Sequence, residues 1–190
     1  MVTRERRRAM WAAAAVAVAA SASWLPGVPL RAGPLEGTTF EELHARTDPS
    51  QAGILWGSLL LHNPTGKTIT IDGVRIAGNP QALEPSAGPY IWDVDRYELL
   101  GTGAISAYQL PLPPAKFTIP PRHEAKGFRI PPHAEEDSIE VVYEFPIPTR
   151  TSELHGITVS YHVGGLAYRK TYDIHLTICA PNDPDPCDQL

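Results

Sequence analysis

The sequence predicts an all-β domain, an antiparallel β-sandwich, held behind an N-terminal export segment. Three observations carry this. The stretch 155–179 alternates apolar and polar residues on either side of a Gly164-Gly165 pair. From residue 53 onward turn chemistry recurs at short intervals, with no helical periodicity between the turns. Four arginines (Arg4, Arg6, Arg7 and Arg8) stand directly before a run of small and apolar residues from Ala9 to Leu25.

That run is 17 residues long. As a helix it is roughly 25 Å, slightly short of a ~30 Å hydrocarbon core. Residues 1–25 therefore read in two ways. Small residues at Val18-Ala19-Ala20 and Ala20-Ser21-Ala22 fit a cleaved signal peptide, cut near Ala20–Ala22. Trp11 and Trp24 bracket the run and Pro26 ends it, which fits an uncleaved anchor helix. Under both readings the arginines stay inside and the rest lies outside, anchored to the plasma or inner membrane or secreted. Arg7-Arg8 followed by Ala9-Met10 is a poor twin-arginine pattern, and no cysteine near the cut points supports a lipoprotein. Loss of residues 1–22 removes four arginines and Glu5, moving the formal charge from −5 to −8. Such an acidic exported domain is expected to repel both nucleic acid and anionic lipid headgroups.

Residues 26–53 carry proline and glycine with weak patterning and read as a linker. Thr38 or Thr39 with Glu41 or Glu42 three residues on resembles a capping box opening a short helix through Phe40 and Leu43. The β-domain is expected over 54–180. Its first strand is Ile54–His62, followed by the turn Asn63-Pro64-Thr65-Gly66 and a second strand, Lys67–Ile76. Pro64 fixes one φ and Gly66 can take a positive one, so the pair is expected as a hairpin. Asp72-Gly73 shifts the parity between Ile71 and Val74 and marks a bulge.

Shorter strands are expected at Tyr90–Tyr97, Ala104–Leu110, Lys116–Ile119, Glu124–Ile130 and Ser138–Phe145. The pairs Pro113-Pro114, Pro120-Pro121 and Pro131-Pro132 punctuate them, because proline cannot sit in a central strand. The C-terminal hairpin is the clearest element. Gly164-Gly165 suits a primed two-residue turn. Pairing outward sets Val163 opposite Leu166, Tyr161 opposite Tyr168 and Ile157 opposite Tyr172. One face is then apolar and the other polar, with Lys170 as the exception whose stem can snorkel. Nine strands with turns between them read as a sandwich.

Cys179 and Cys187 are the chain's two cysteines. In an exported protein they are expected to form a disulfide, clamping the Pro/Asp-rich tail of residues 181–190. No C-x-x-C pair supports thiol exchange.

The runs Leu59–Ile76, His123–Pro132 and His155–Cys179 together resemble small exported bacterial proteins with an immunoglobulin-like fold. The resemblance covers roughly residues 54 to 179. It implies the fold and the compartment, and it assigns no functional residue. The Cys…Trp…Cys signature of antibody domains is missing.

Candidate chemistry is sparse. His162 falls opposite Ala167, and His175 lies eight residues further along, roughly 26 Å at ~3.3 Å per residue, so the two cannot share an ion. His123, His133 and His155 read as loop histidines without ligand spacing. Met1 and Met10 are the only methionines, which removes a copper-carrier reading. Asp183, Asp185 and Asp188 lack the glycine turn and bidentate glutamate of a calcium loop. No Gly-x-Ser-x-Gly or placed cysteine nucleophile appears, and Glu98 with Asp93 or Asp95 has no context that defines a glycosidase pair. No catalytic residue, metal site or cofactor is assigned. Tyr90, Trp92, Tyr97 and Tyr108 form a candidate ligand platform for sugar, set against the ordinary burial of tryptophan in a core. The functional expectation is a noncatalytic envelope module that contacts another envelope protein; a cell-wall glycan binder is the alternative.

Overall fold

The computed structural model describes residues 31–39, 42–78, 83–93, 106–111, 121–134, 139–183 and 187. The export run 1–25 and the strand expected at Lys116–Ile119 lie outside these residues. Among the described residues no helix is long and apolar enough to cross a membrane.

The described residues form eleven strands. In chain order the first six are β1 (Glu36–Thr39), β2 (Glu42–Arg46), β3 (Gly53–His62), β4 (Ile69–Ile76), β5 (Ala87–Asp93) and β6 (Ser106–Leu110). The rest are β7 (His123–Glu124), β8 (Arg129–Ile130), β9 (Ile139–Phe145), β10 (Ser152–Val163) and β11 (Leu166–Cys179). One sheet runs β1-β3-β9-β5-β7, with β6 also on β3; the other runs β2-β11-β10-β4-β8.

The inner faces follow the alternation. Ile54, Trp56, Leu59 and Leu61 from β3 meet Val141, Tyr143 and Phe145 from β9, and all are buried in the main core. Trp56 sits 6.2 Å from Tyr143 and 6.0 Å from Phe145, centroid to centroid. From the other layer come Ile69, Ile71, Ile157, Val159, Tyr161, Ile174, Leu176 and Ile178. Each such aliphatic side chain contributes about 1.5–3 kcal/mol by leaving water, so the two apolar faces hold the layers together.

The C-terminal hairpin has the expected register: Val163 opposite Leu166, Tyr161 opposite Tyr168, Ile157 opposite Tyr172. Gly164 and Gly165 take φ of 56° and 85°, as a primed turn requires. The bulge expected at Asp72-Gly73 is present, since Gly73 pairs with Ser160 while Ile71 pairs with Tyr161.

Four expectations need correction. First, β3 and β4 are not a hairpin; they belong to different sheets. The intervening loop is an arch, organised by the buried Asn63. Its amide donates to the carbonyls of Lys67, Ile130 and Pro131 at 2.9, 3.3 and 2.8 Å, and its Oδ1 accepts from the Thr65 amide at 3.0 Å. One side chain thus satisfies backbone that a hairpin ladder would have paired.

Second, Glu36–Thr39 and Glu42–Arg46 are strands rather than parts of a spacer with a helical turn, Phe40 and Glu41 lying outside the described residues. β1 pairs antiparallel with β3, and β2 pairs with β11. The β2–β11 pair is parallel, so the sandwich is not purely antiparallel. Third, the strand expected over Glu124–Ile130 is two short ones, split by a turn in which the Phe128 amide donates to the Ala125 carbonyl and Gly127 has φ 86°. Fourth, His123 lies on β7 and His155 on β10 rather than in loops.

The chain enters the sandwich under a tight clamp. Leu35 is fully buried. The Arg169 amide donates to the Arg31 carbonyl at 2.9 Å. Tyr161 Oη donates to the Ala32 carbonyl at 2.5 Å and accepts from the Leu35 amide at 3.0 Å. The Leu35 carbonyl accepts from Lys170 Nζ at 2.8 Å and from Tyr172 Oη at 3.1 Å. Lys170, the polar exception on the apolar face, thereby finds its partner, with its ammonium 5.0 Å from the Tyr172 ring centroid.

Candidate functional site

The backbone of β4 supplies an open edge. The Ala77 amide donates to the Gly156 carbonyl, towards β10. Because an antiparallel ladder turns alternate residues to opposite sides, Val74 and Ile76 point their N–H and C=O groups away from β10. On that side β8 pairs only with Ile69 and Thr70, and Ile71 bonds Gly127 and Phe128. Among the described residues no strand covers 72–76. The bulge at Asp72-Gly73 causes this, bending β4 out of line with β8.

A cleft continues the edge. About 360 Å³ of it is lined by Ile76, Ala77, Leu83 and residues 151–155. It adjoins a wider hollow of about 670 Å³ lined by Leu83, Glu84 and residues 146–152. The wall Pro146-Ile147-Pro148 has two residues without an N–H, so that stretch of backbone cannot close over the edge as a strand of its own. Backbone groups at β4 and an apolar floor at Ile76, Ala77 and Leu83 thus lie side by side.

The aromatic residues sit elsewhere, on the outer face of the other sheet. Tyr90 pairs with Val142, Trp92 with Glu140, and Tyr108 with Leu55, so these three share one face. Trp92 is 3% exposed and packs with Leu55 and Val142 in a second small core, with Tyr108 and Leu110 against it. Its ring is therefore not an open stacking surface. Tyr90 is half-buried beneath Arg122, whose guanidinium lies 5.2 Å from the ring centroid and also pairs with Glu144. Tyr97 lies outside the described residues. On this same face Glu140 is 1% exposed, its carboxylate resting where Gly57 leaves room; a Cβ at Gly57 would overlap it.

Histidines pair with carboxylates across the second sheet. His162 Nδ1 lies 2.8 Å from Asp72 Oδ1, and His162 stands opposite Ala167 as the spacing requires. His155 and His175 are cross-strand neighbours with ring centroids 4.7 Å apart. Sequence reading missed this contact because Gly156, with φ 74°, shifts the register of the hairpin there. Among the described residues no group of three or more His, Cys, Asp or Glu is placed to hold a metal ion.

Cys179 and Cys187 are joined, with Cα atoms 6.4 Å apart. The closed loop is fastened at both ends. Thr47 Oγ1 donates to the Cys179 carbonyl at 2.5 Å, and the Arg46 guanidinium donates to the Cys187 carbonyl. The Thr151 amide donates to Asp183 at 3.3 Å, which makes the aspartate a loop tie.

Three phenols carry shifted acidities. Burial pushes the Tyr161 hydroxyl up to about 12, opposed by its hydrogen bond from Leu35. Burial also raises Tyr143 and Tyr172 well above the usual phenol range. None of them adjoins the cleft lining, and each serves packing or the entry clamp. No protein-family description matches the chain, and neither does any curated protein.

Proposed function

We propose that this chain is a noncatalytic cell-envelope module that binds a partner protein by strand addition at the β4 edge. The observation that carries the reading is the meeting of a backbone edge at Val74 and Ile76, uncovered among the described residues, with an apolar-floored cleft that prolongs it. Backbone pairing supplies affinity in this mode and the pockets beside the edge supply specificity. The occupant is an extended segment of the partner, with an apolar side chain set against Ile76, Ala77 and Leu83. The arginine-led run of residues 4–25 and the paired cysteines support an extracytoplasmic placement.

We read the architecture as immunoglobulin-like. Constant-type immunoglobulin domains hold strands A, B, E and D in one sheet and C, F and G in the other. Taken in chain order, β1, β3, β9 and β5 fit the first set, and β4, β10 and β11 fit the second.

The test is photocrosslinking in the envelope from position 75, on β4, with position 173, exposed on β11, as control. The expected result is a crosslink to one partner that Val74→Pro abolishes. Proline there removes an outward N–H and leaves the β10 ladder intact. A crosslink indifferent to Val74→Pro, or equal from position 173, overturns strand addition.

A further inference from the structure

The entry clamp fixes more than residues 31–35. Leu35 is held by Lys170 and Tyr172, and Ala32 by Tyr161. Arg31 is held by Arg169. Read from Leu35 back to Arg31, the chain therefore runs towards the β10–β11 turn. Only residues 26–30 separate Arg31 from Leu25, where the apolar run ends. Fully stretched, that connection reaches about 20 Å.

At the turn itself stands Leu166, 45% exposed and the only exposed large apolar side chain among the described residues. Basic residues also stand at this end of the domain. Lys67 Nζ lies 3.8 Å from where a Cβ on Gly164 would stand, and Arg31 and Arg169 are both exposed. Leu166 is three residues beyond Arg169, roughly 10 Å along the strand. Of the ~20 Å tether the strand itself spans half, so with the turn facing down its tip lies within about 10 Å of the hydrocarbon, close to the depth of a headgroup layer.

We propose that the β10–β11 turn is a membrane contact, in which Leu166 lodges at the headgroup–acyl boundary and Lys67, Arg31 and Arg169 meet lipid phosphates. This rests on the reading of residues 9–25 as an uncleaved anchor. The partner is an anionic phospholipid surface, met by this basic end at short range although the exported chain is acidic as a whole. Apolar insertion beside basic residues is the chemistry that such an interface selects. The consequence is orientation: the cleft at the start of β10, the opposite end of that strand, is presented away from the membrane.

The experiment uses the full chain reconstituted in vesicles of phosphatidylethanolamine and phosphatidylglycerol. Leu166→Cys carries an environment-sensitive fluorophore, and Arg150→Cys, at the far end, carries it as control. The native cysteines are consumed in their disulfide. Expected are a several-fold brighter signal at position 166 and its quenching by brominated lipid, with neither at 150. Lys67→Glu combined with Arg169→Glu should return the label towards its aqueous brightness. A chain that floats with the vesicles while both labels stay equally wet overturns the membrane contact and leaves the anchor standing. A chain that fails to float overturns both.

Discussion

Tyr161→Phe removes one oxygen and loosens the attachment of the whole N-terminal edge. The hydroxyl donates to the Ala32 carbonyl at 2.5 Å and accepts from the Leu35 amide at 3.0 Å. Two such bonds are worth about 1 kcal/mol each, and a buried amide left unpaired adds roughly 1–3 kcal/mol. Leu35 is fully buried, so water cannot replace the lost acceptor without opening the core. The expected cost is therefore about 3 kcal/mol, or roughly 6–12 °C in Tm for a domain of this size. Urea unfolding at neutral pH measures it, and the slope should stay unchanged because the same surface is exposed. Amide exchange at Leu35 should accelerate more than exchange at Val159 or Ile174. Tyr168→Phe is the matched control: its ring stacks on Tyr161 at 5.5 Å, and its hydroxyl has no hydrogen bond among the described residues, so it should cost under about 0.5 kcal/mol. A Tyr161→Phe cost as small as the control's, with Leu35 still protected, would refute the clamp.

Other outcomes follow from the same geometry. The raised phenol of Tyr161 has a folded pKa of about 12 against an ordinary 10.0, so its stabilisation is complete below pH 10 and is lost as pH climbs through about 12. Tyr143 and Tyr172 shift in the same direction. An alkaline titration of the seven tyrosines should show late phenols ionising together with unfolding; seven ordinary phenols in a folded domain contradict this. Gly57→Ala should destabilise by about 1–3 kcal/mol by crowding Glu140, whereas Gly73→Ala, with open space around it, should be neutral or slightly stabilising; chemical denaturation of the pair decides. Trp92→Ala should cost about 3 kcal/mol as a core deletion, measured by melting, and an unchanged melt would return the ring to a ligand platform. Reduction of Cys179–Cys187 should cost about 2.5 kcal/mol by the chain-entropy estimate for so short a loop, read as the shift of the urea midpoint on adding reductant.

Local chemistry proved legible where the answer itself was local. Gly164-Gly165 and the alternation around it specified the last hairpin from Ile157 to Tyr172, and the parity slip at Asp72-Gly73 located its bulge. The turn at Asn63 was harder. Its residues state that the chain changes direction, but a reversal within one sheet and a jump to the other use the same turn chemistry. Only the distant carbonyls of Ile130 and Pro131, which Asn63 collects, distinguish the two. β1 and β2 escaped notice because four or five residues with mixed polarity, such as Glu42–Arg46, leave no period to detect. The open edge of β4 was invisible for a related reason. An edge is defined by which neighbour is missing, and that depends on the short reach of β8 rather than on anything in β4.

The division of β1 and β2 between the sheets bears on how the domain can be cut. The sequence alone invites a fragment beginning at residue 54, where the alternation starts. Such a fragment would uncover one side of Leu59–His62 on β3 in one layer and of His175–Cys179 on β11 in the other. Those two segments, one of them leucine-rich, would then offer bare amides and carbonyls to any neighbour. Bare strands of that kind join edge to edge into aggregates. An excised domain that stays monomeric at high concentration should therefore begin no later than Arg31, where the clamp begins, and not at the first strand the eye recognises.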